Sequence, residues 1–151
     1  MLIYWSMYLI PSTLALIIGK KKKTNKFIFF IFGFIFSLLI GFRHEVGSDW
    51  SSYLRQYNLI KDIPFFLILQ NLNDPAHQLI NWIMGSLNFG VYGVNFIYAV
   101  FFMIGLIKFS KNELYPWLAI SVAIPYIIIV VVIGLTKQGM ALGLILFGLT
   151  Y

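Results

Sequence analysis

Along most of the chain, long apolar runs alternate with short polar breaks. A bilayer core about 30 Å thick takes roughly 20 apolar helical residues, with a usable range of about 17–25. Met1–Gly19 is one such run, interrupted only by Pro11 and a few hydroxyls. Phe27–Phe42 is a shorter second, which Lys26 extends by snorkelling. Val91–Phe109 is a third, with Lys108 near its end, and Trp117–Leu135 is an uncharged fourth, in which Pro125 is expected to kink the helix. Met140–Tyr151 begins a fifth run, but at about 1.5 Å per residue it covers only about 18 Å, too little to cross. The pattern predicts an all-α fold, a polytopic membrane bundle of four complete spans and an incomplete fifth. Residues 1–151 are expected to form a single transmembrane domain, read as the N-terminal part of a larger protein.

The exception is the polar segment 43–90, far longer than helix packing requires. Trp50, Tyr53, Tyr57, Phe65, Phe66 and Trp82 are spread through it, which argues against disorder. Two short helices fit in it. The first starts near Ser48 or Asp49 and ends before Pro64, with Trp50, Tyr53, Leu54 and Tyr57 on one face and Arg55 opposite. Such a helix suits the membrane interface, and its rings also suit stacking on sugars. The second begins at Asp74 with Pro75 in the first turn. Leu79, Ile80, Ile83 and Leu87 make its apolar face, and Gln78, Asn81 and Asn88 a polar stripe of amides that suit either sugar hydroxyls or interhelical bonds.

Composition settles the solvent. The chain is 60% hydrophobic and 11% charged, less than half the charge of a soluble domain, with a mean hydropathy of +0.87. That excludes a soluble globular domain, a disordered tail and a disulfide scaffold; with no cysteine there is no thiolate chemistry. The net charge of +6 is then read by position, as a topology signal rather than a nucleic-acid footprint. Lys20, Lys21, Lys22, Lys23 and Lys26 lie between the first two runs, and Lys108 and Lys111 between the third and fourth. Positive-inside bias places these in the cytoplasm, and the N-terminus, the 43–90 segment and Lys137 outside.

The candidate chemistry lies on that outer side. Arg43, His44, Glu45 and Asp49 follow directly on the second run, and Lys137 with Gln138 interrupts apolar text between Gly134 and Gly139. Ionisable groups at membrane depth are costly and face a cavity or a partner. Arg43 suits pairing with Glu45 or Asp49, or an anion site shared with Lys137 and most naturally filled by a pyrophosphate. His44 and His77 are too few for a protein-only metal site and read as hydrogen-bonding residues; no metal or other cofactor is expected.

Several stretches resemble one family. Gly41-Phe42-Arg43, then Val46-Gly47-Ser48-Asp49-Trp50 with Tyr53, resembles the "R…VG(T/S)D(Y/W)..Y" stretch of the EpsG family of exopolysaccharide polymerases. Asp74-Pro75-Ala76 with Leu79-Ile80-Asn81 resembles its "EPG…LLN" segment, and Leu135-Thr136-Lys137-Gln138-Gly139-Met140-Ala141 its "RQ.(I/L/M)A" stretch. Here Lys137 stands in place of arginine, Trp50 of tyrosine and Asp74 of glutamate. The resemblance implies a multi-pass protein of the bacterial cytoplasmic membrane that joins undecaprenyl-pyrophosphate-linked repeat units at the outer face. Its partners would be the lipid-linked oligosaccharide, membrane lipid and other polysaccharide-export proteins. It implies Arg43, then Lys137 and Arg55, as cations for the leaving pyrophosphate, and Asp49, then His44, as the base. Trp50, Tyr53, Gln138 and Asn81 complete the expected substrate contacts. The competing readings are a truncated, non-catalytic scaffold of an export complex and a lipid-linked oligosaccharide transporter.

Overall fold

The computed structural model describes residues 2–18, 26–70 and 74–150; Lys20 to Lys23 of the basic loop lie outside them. The apolar runs become helices: α1 (Leu2–Ile18), α2 (Lys26–Gly41), α6 (Gly90–Asn112) and α7 (Pro116–Ala123). The 43–90 segment folds into α3 (Trp50–Ile60), α4 (Phe65–Gln70) and α5 (Pro75–Ser86), and the last helix is α8 (Thr136–Gly148). No strand occurs among the described residues. One described helix, Gly90–Asn112, is long and apolar enough to cross a membrane; Ile3–Ile18, Lys26–Gly41 and Pro116–Val132 are shorter apolar helices.

At Pro125, where a kink is expected, the helix widens. After α7 the chain continues as a π-helical segment, Ile124–Val132, before a single non-helical residue, Leu135, precedes α8. A proline lacks the N–H that an α-helix would use, and a wider helical turn accommodates the loss. Lys137 therefore does not sit in a loop. It lies in the first turn of α8, one residue after the helix begins.

Helix α6 is the central element. Gly33 lies beneath Ile107 and Gly41 beneath Phe96, so α2 runs antiparallel to α6. Gly105 lies against Gly143, and the Lys108 ammonium sits 3.7 Å above the Phe147 ring, so α8 runs parallel to α6. A Cβ on Gly105 would stand 1.9 Å from the Gly143 carbonyl oxygen; only glycine permits that approach. The main core joins α1, α2, α6 and α7. At its centre Trp117 stacks on Phe29 at 4.6 Å and meets Phe32 edge-on at 5.3 Å.

A second core of Tyr53, Tyr57, Met84, Val91, Val94 and Tyr98 fastens α3 and α5 to α6, with Met140 of α8 packed against it. This changes two expectations. The aromatic face of α3 turns inward: Tyr53 and Tyr57 are buried, and only Leu54 of that face is exposed. Helix α5 is inverted, with His77, Gln78, Asn81 and Met84 buried and Leu79, Ile83 and Leu87 exposed. Phenol rings fill core space while their hydroxyls reach partners, and on α5 it is His77 that bonds across to Tyr98 of α6 and Gln56 of α3.

Candidate functional site

Helix α2 delivers Arg43 to one end of the bundle. The loop beyond it is tightly bent, with Glu45 at φ +51° and Gly47 at φ +108°. Any side chain at Gly47 would meet the Ile133 carbonyl oxygen at 2.6 Å, so this loop is pressed against the break between the π-helical segment and α8. The fold of the loop closes around Arg43. Its Nε donates to the Val46 carbonyl at 2.9 Å and its Nη1 to the Ile40 carbonyl at 3.1 Å. The side chain is 8% exposed, and no ion pair among the described residues includes it. The expected pairing with Glu45 or Asp49 is not made.

Burial pushes the Arg43 guanidinium down from 12.5 to about 10, an effect that nearby Tyr53 and Tyr4 partly oppose. It is still a cation at neutral pH, with hydrogen-bonding capacity beyond the two carbonyls. Arg43 also borders a cavity of about 660 Å³ whose walls are chiefly apolar, including Tyr4 and Met7 of α1, Leu38 of α2 and Ile133.

Beside Arg43 stands an aromatic cluster. His44 Nδ1 shares a 2.7 Å hydrogen bond with the Tyr92 hydroxyl, and its Nε2 lies 3.7 Å from the Glu45 carboxylate. Trp50 packs against both rings, with centroids 5.8 Å from His44 and 5.6 Å from Tyr92. Phe42 stacks on Tyr92 at 6.4 Å. His44 is exposed; Trp50 is half-buried. Asp49 precedes α3 and is half-buried, and its carboxylate makes no capping bond to that helix.

The second cation is held quite differently. Lys137 Nζ pairs with Asp74 at 2.9 Å and donates to Gln56 Oε1 at 3.4 Å; its backbone N–H donates to the Tyr53 hydroxyl at 3.3 Å. The lysine draws the Asp74 carboxyl below the usual carboxylate range, through the hydrogen bond first and its charge second. Behind this pair lies buried His77. Its Nε2 meets Gln56 Oε1 at 2.7 Å and its Nδ1 meets the Tyr98 hydroxyl. The tautomer that satisfies both neighbours carries the proton on Nε2 and accepts from Tyr98, an assignment inferred from the network. The Asn81 amide then donates to the His77 backbone carbonyl at 2.8 Å. Burial, then the Lys137 charge, lower His77 from 6.5 to about 4, with Asp74 opposing, so this imidazole is neutral at pH 7.

The structure thus brings together Arg43, His44, Trp50, Tyr53 and Lys137 at one end, with Tyr53 a neighbour of both cations. Of the other expected residues, Asp49 stands at the start of α3 beside Trp50, and three lie elsewhere. Arg55 is exposed on the side of α3 opposite Tyr53. Gln138 is exposed, and Asn81 is fully buried, its amide N–H donating to the His77 carbonyl and its Oδ1 left without a partner. Gln56, Tyr92 and Tyr98 were not expected. The signal for Tyr92 and Tyr98 was present in their spacing with Asn95, polar groups three residues apart in the apolar α6, whereas Gln56 had none. His77 does take the hydrogen-bonding role expected of it. Among the described residues no three histidine or carboxylate side chains converge as a metal site would need.

No curated protein and no solved structure matches the chain. The model of the EpsG family matches residues 26–151, from the start of α2 onward, and includes both cations, Arg43 and Lys137. The chain belongs to the EpsG family, which points to exopolysaccharide biosynthesis.

Proposed function

We propose that the chain is a multi-pass membrane domain of a repeat-unit polymerase. It acts at the outer face of the bacterial cytoplasmic membrane on undecaprenyl-pyrophosphate-linked oligosaccharides. In this reading α1, α2, α6 and α7 with the π-helical segment cross the bilayer and α8 begins a fifth crossing. The N-terminus and residues 43–90 lie outside, and all 151 residues form one transmembrane domain. Apolar side chains face outward from helix after helix, among them Ile17 at 80% exposure and Val122 at 71%, which suits lipid rather than water. Lys26, Lys108 and Lys111 gather at the end opposite Arg43, as positive-inside orientation requires.

One observation carries the reaction: Arg43 is buried, cationic and without a carboxylate, beside an apolar cavity. A lipid pyrophosphate supplies both the missing anion and an apolar chain for the cavity. In the transfer, a sugar hydroxyl of the incoming repeat unit attacks the anomeric carbon of the growing glycan. The bond from that carbon to the phosphate oxygen breaks and its electron pair leaves on the pyrophosphate, where Arg43 stabilises it. The hydroxyl proton passes to a base. His44 is the candidate the fold holds in place, through Tyr92 and Glu45; Asp49 is the alternative. The exposed His44 ring and half-buried Trp50 suit stacking on a sugar. Other polysaccharide-export proteins are the expected partners.

Vesicles carrying the full-length gene product and lipid-linked repeat units test this. Transfer to longer glycans without translocation is expected, and Arg43→Ala is expected to reduce it by about 100-fold or more, the scale of losing one charge-stabilising donor. Wild-type glycan lengths in both Arg43→Ala and Asp49→Ala would overturn the site. Flipping without transfer would identify a carrier instead.

A further inference from the structure

At the end of the bundle remote from Arg43, α2 and α6 leave a groove of about 380 Å³ between them. Buried Phe29 and Met103 and exposed Phe30, Phe34 and Ile104 line it. Because the two helices are antiparallel, Lys26 at the start of α2 and Lys108 and Lys111 near the end of α6 meet at its mouth. At about 1.5 Å per residue, the stretch from Lys26 to Ser37 measures roughly 16 Å. That is close to half of an apolar core about 30 Å thick, so the groove is one leaflet deep.

The charges at the mouth are of one sign. Lys111 Nζ lies 5.0 Å over the Phe29 ring and feels the like charge of Lys26, and Lys108 Nζ lies over Phe147. None of the ion pairs among the described residues includes Lys26 or Lys111. We propose that this groove is a binding site for an anionic phospholipid of the inner leaflet. One acyl chain lies along the α2–α6 seam, and the phosphate sits among Lys26, Lys108 and Lys111. The site rests on the membrane placement proposed above. An apolar helix would fill the groove but supply no anion for Lys26 and Lys111, so charge complementarity selects the lipid.

The test uses the full chain, expressed in cells with phosphatidylglycerol and phosphatidylethanolamine membranes and extracted in mild detergent, with retained lipid quantified by mass spectrometry. Phosphatidylglycerol is expected to be enriched over its bulk ratio. Each lysine removed, in Lys26→Gln and Lys111→Gln, weakens retention by about fivefold, while Lys111→Arg keeps it. A second measurement needs no variant: short-chain phosphatidylglycerol should displace the retained lipid from wild-type protein where short-chain phosphatidylcholine does not. Bulk lipid ratios around a membrane-located chain, or equal displacement by both lipids, would overturn this site alone. A chain absent from the membrane fraction would overturn the membrane placement as well.

Discussion

Arg43 and Lys137 both reach the end of the bundle where Tyr53 stands, one without a carboxylate and the other against Asp74. Both are cations that the chain text places beside apolar runs, and text alone makes them look equivalent. Their surroundings separate them. Lys137 is neutralised at a partly open surface, with side-chain exposures of 30% for the lysine and 69% for Asp74, and it anchors a network through Gln56 to His77. Arg43 is buried among apolar groups and spends only part of its hydrogen-bonding capacity on two carbonyls. A charge kept in that state lowers stability, and such a cost is commonly retained where function needs it.

The sharpest way to break this comparison is to remove Arg43's charge and keep its bulk. Arg43→Met should cut polymer formation by about 100-fold or more. Yet it should leave thermal stability unchanged or higher, because burial of the guanidinium opposes folding by up to about 3 kcal/mol, partly offset by its two hydrogen bonds. Parallel melting and activity curves check the split; a large fall in stability would make Arg43 a structural residue.

Acid should act first on the Lys137 side. His77 takes up a proton near pH 4 in the fold but near 6.5 when unfolded, so the unfolded chain binds more protons between those values. Stability is therefore full above about pH 6.5 and falls by on the order of 3 kcal/mol as pH drops to about 4. Asp74, held below its usual range, adds to the loss in the same direction at lower pH. Melting of His77→Gln across this range should show a flatter slope than wild type.

Gly47→Ala probes the frame around Arg43. Its positive φ and the nearby Ile133 carbonyl oxygen should make the substitution cost roughly 1–3 kcal/mol and displace the Arg43 loop, lowering transfer more than stability alone explains. The smallest effect belongs to the ion pair. A double-mutant cycle on Lys137→Gln and Asp74→Asn should give a coupling of about 0.2–1 kcal/mol, as for other solvent-exposed pairs. Polymer formation by Lys137→Gln should stay within about tenfold of wild type, the limit set by that weak coupling.

Helix positions were legible in the sequence because periodicity and run length report local structure. The runs Phe27–Phe42 and Val91–Phe109 became α2 and α6 with ends shifted by three residues at most, and Asp74-Pro75 does open α5. The facing of α3 and α5 was not legible, because it depends on what lies opposite. Tyr53 and Tyr57 turned to the second core once α6 offered Val91 and Val94, and His77 turned inward where Tyr98 of α6 and Gln56 of α3 were there to bond. The charge states of the two cations were likewise tertiary facts. Glu45 stands two residues from Arg43, but its left-handed backbone carries it to His44, while Lys137 found its carboxylate 63 residues away.

The central claim is that Arg43, and not Lys137, holds the departing pyrophosphate. Its most direct test is competition of undecaprenyl pyrophosphate against undecaprenyl monophosphate on wild-type, Arg43→Met and Lys137→Gln proteins. A clear preference for the pyrophosphate is expected in wild type and in Lys137→Gln, and its loss in Arg43→Met. A preference that survives in Arg43→Met but disappears in Lys137→Gln would contradict it.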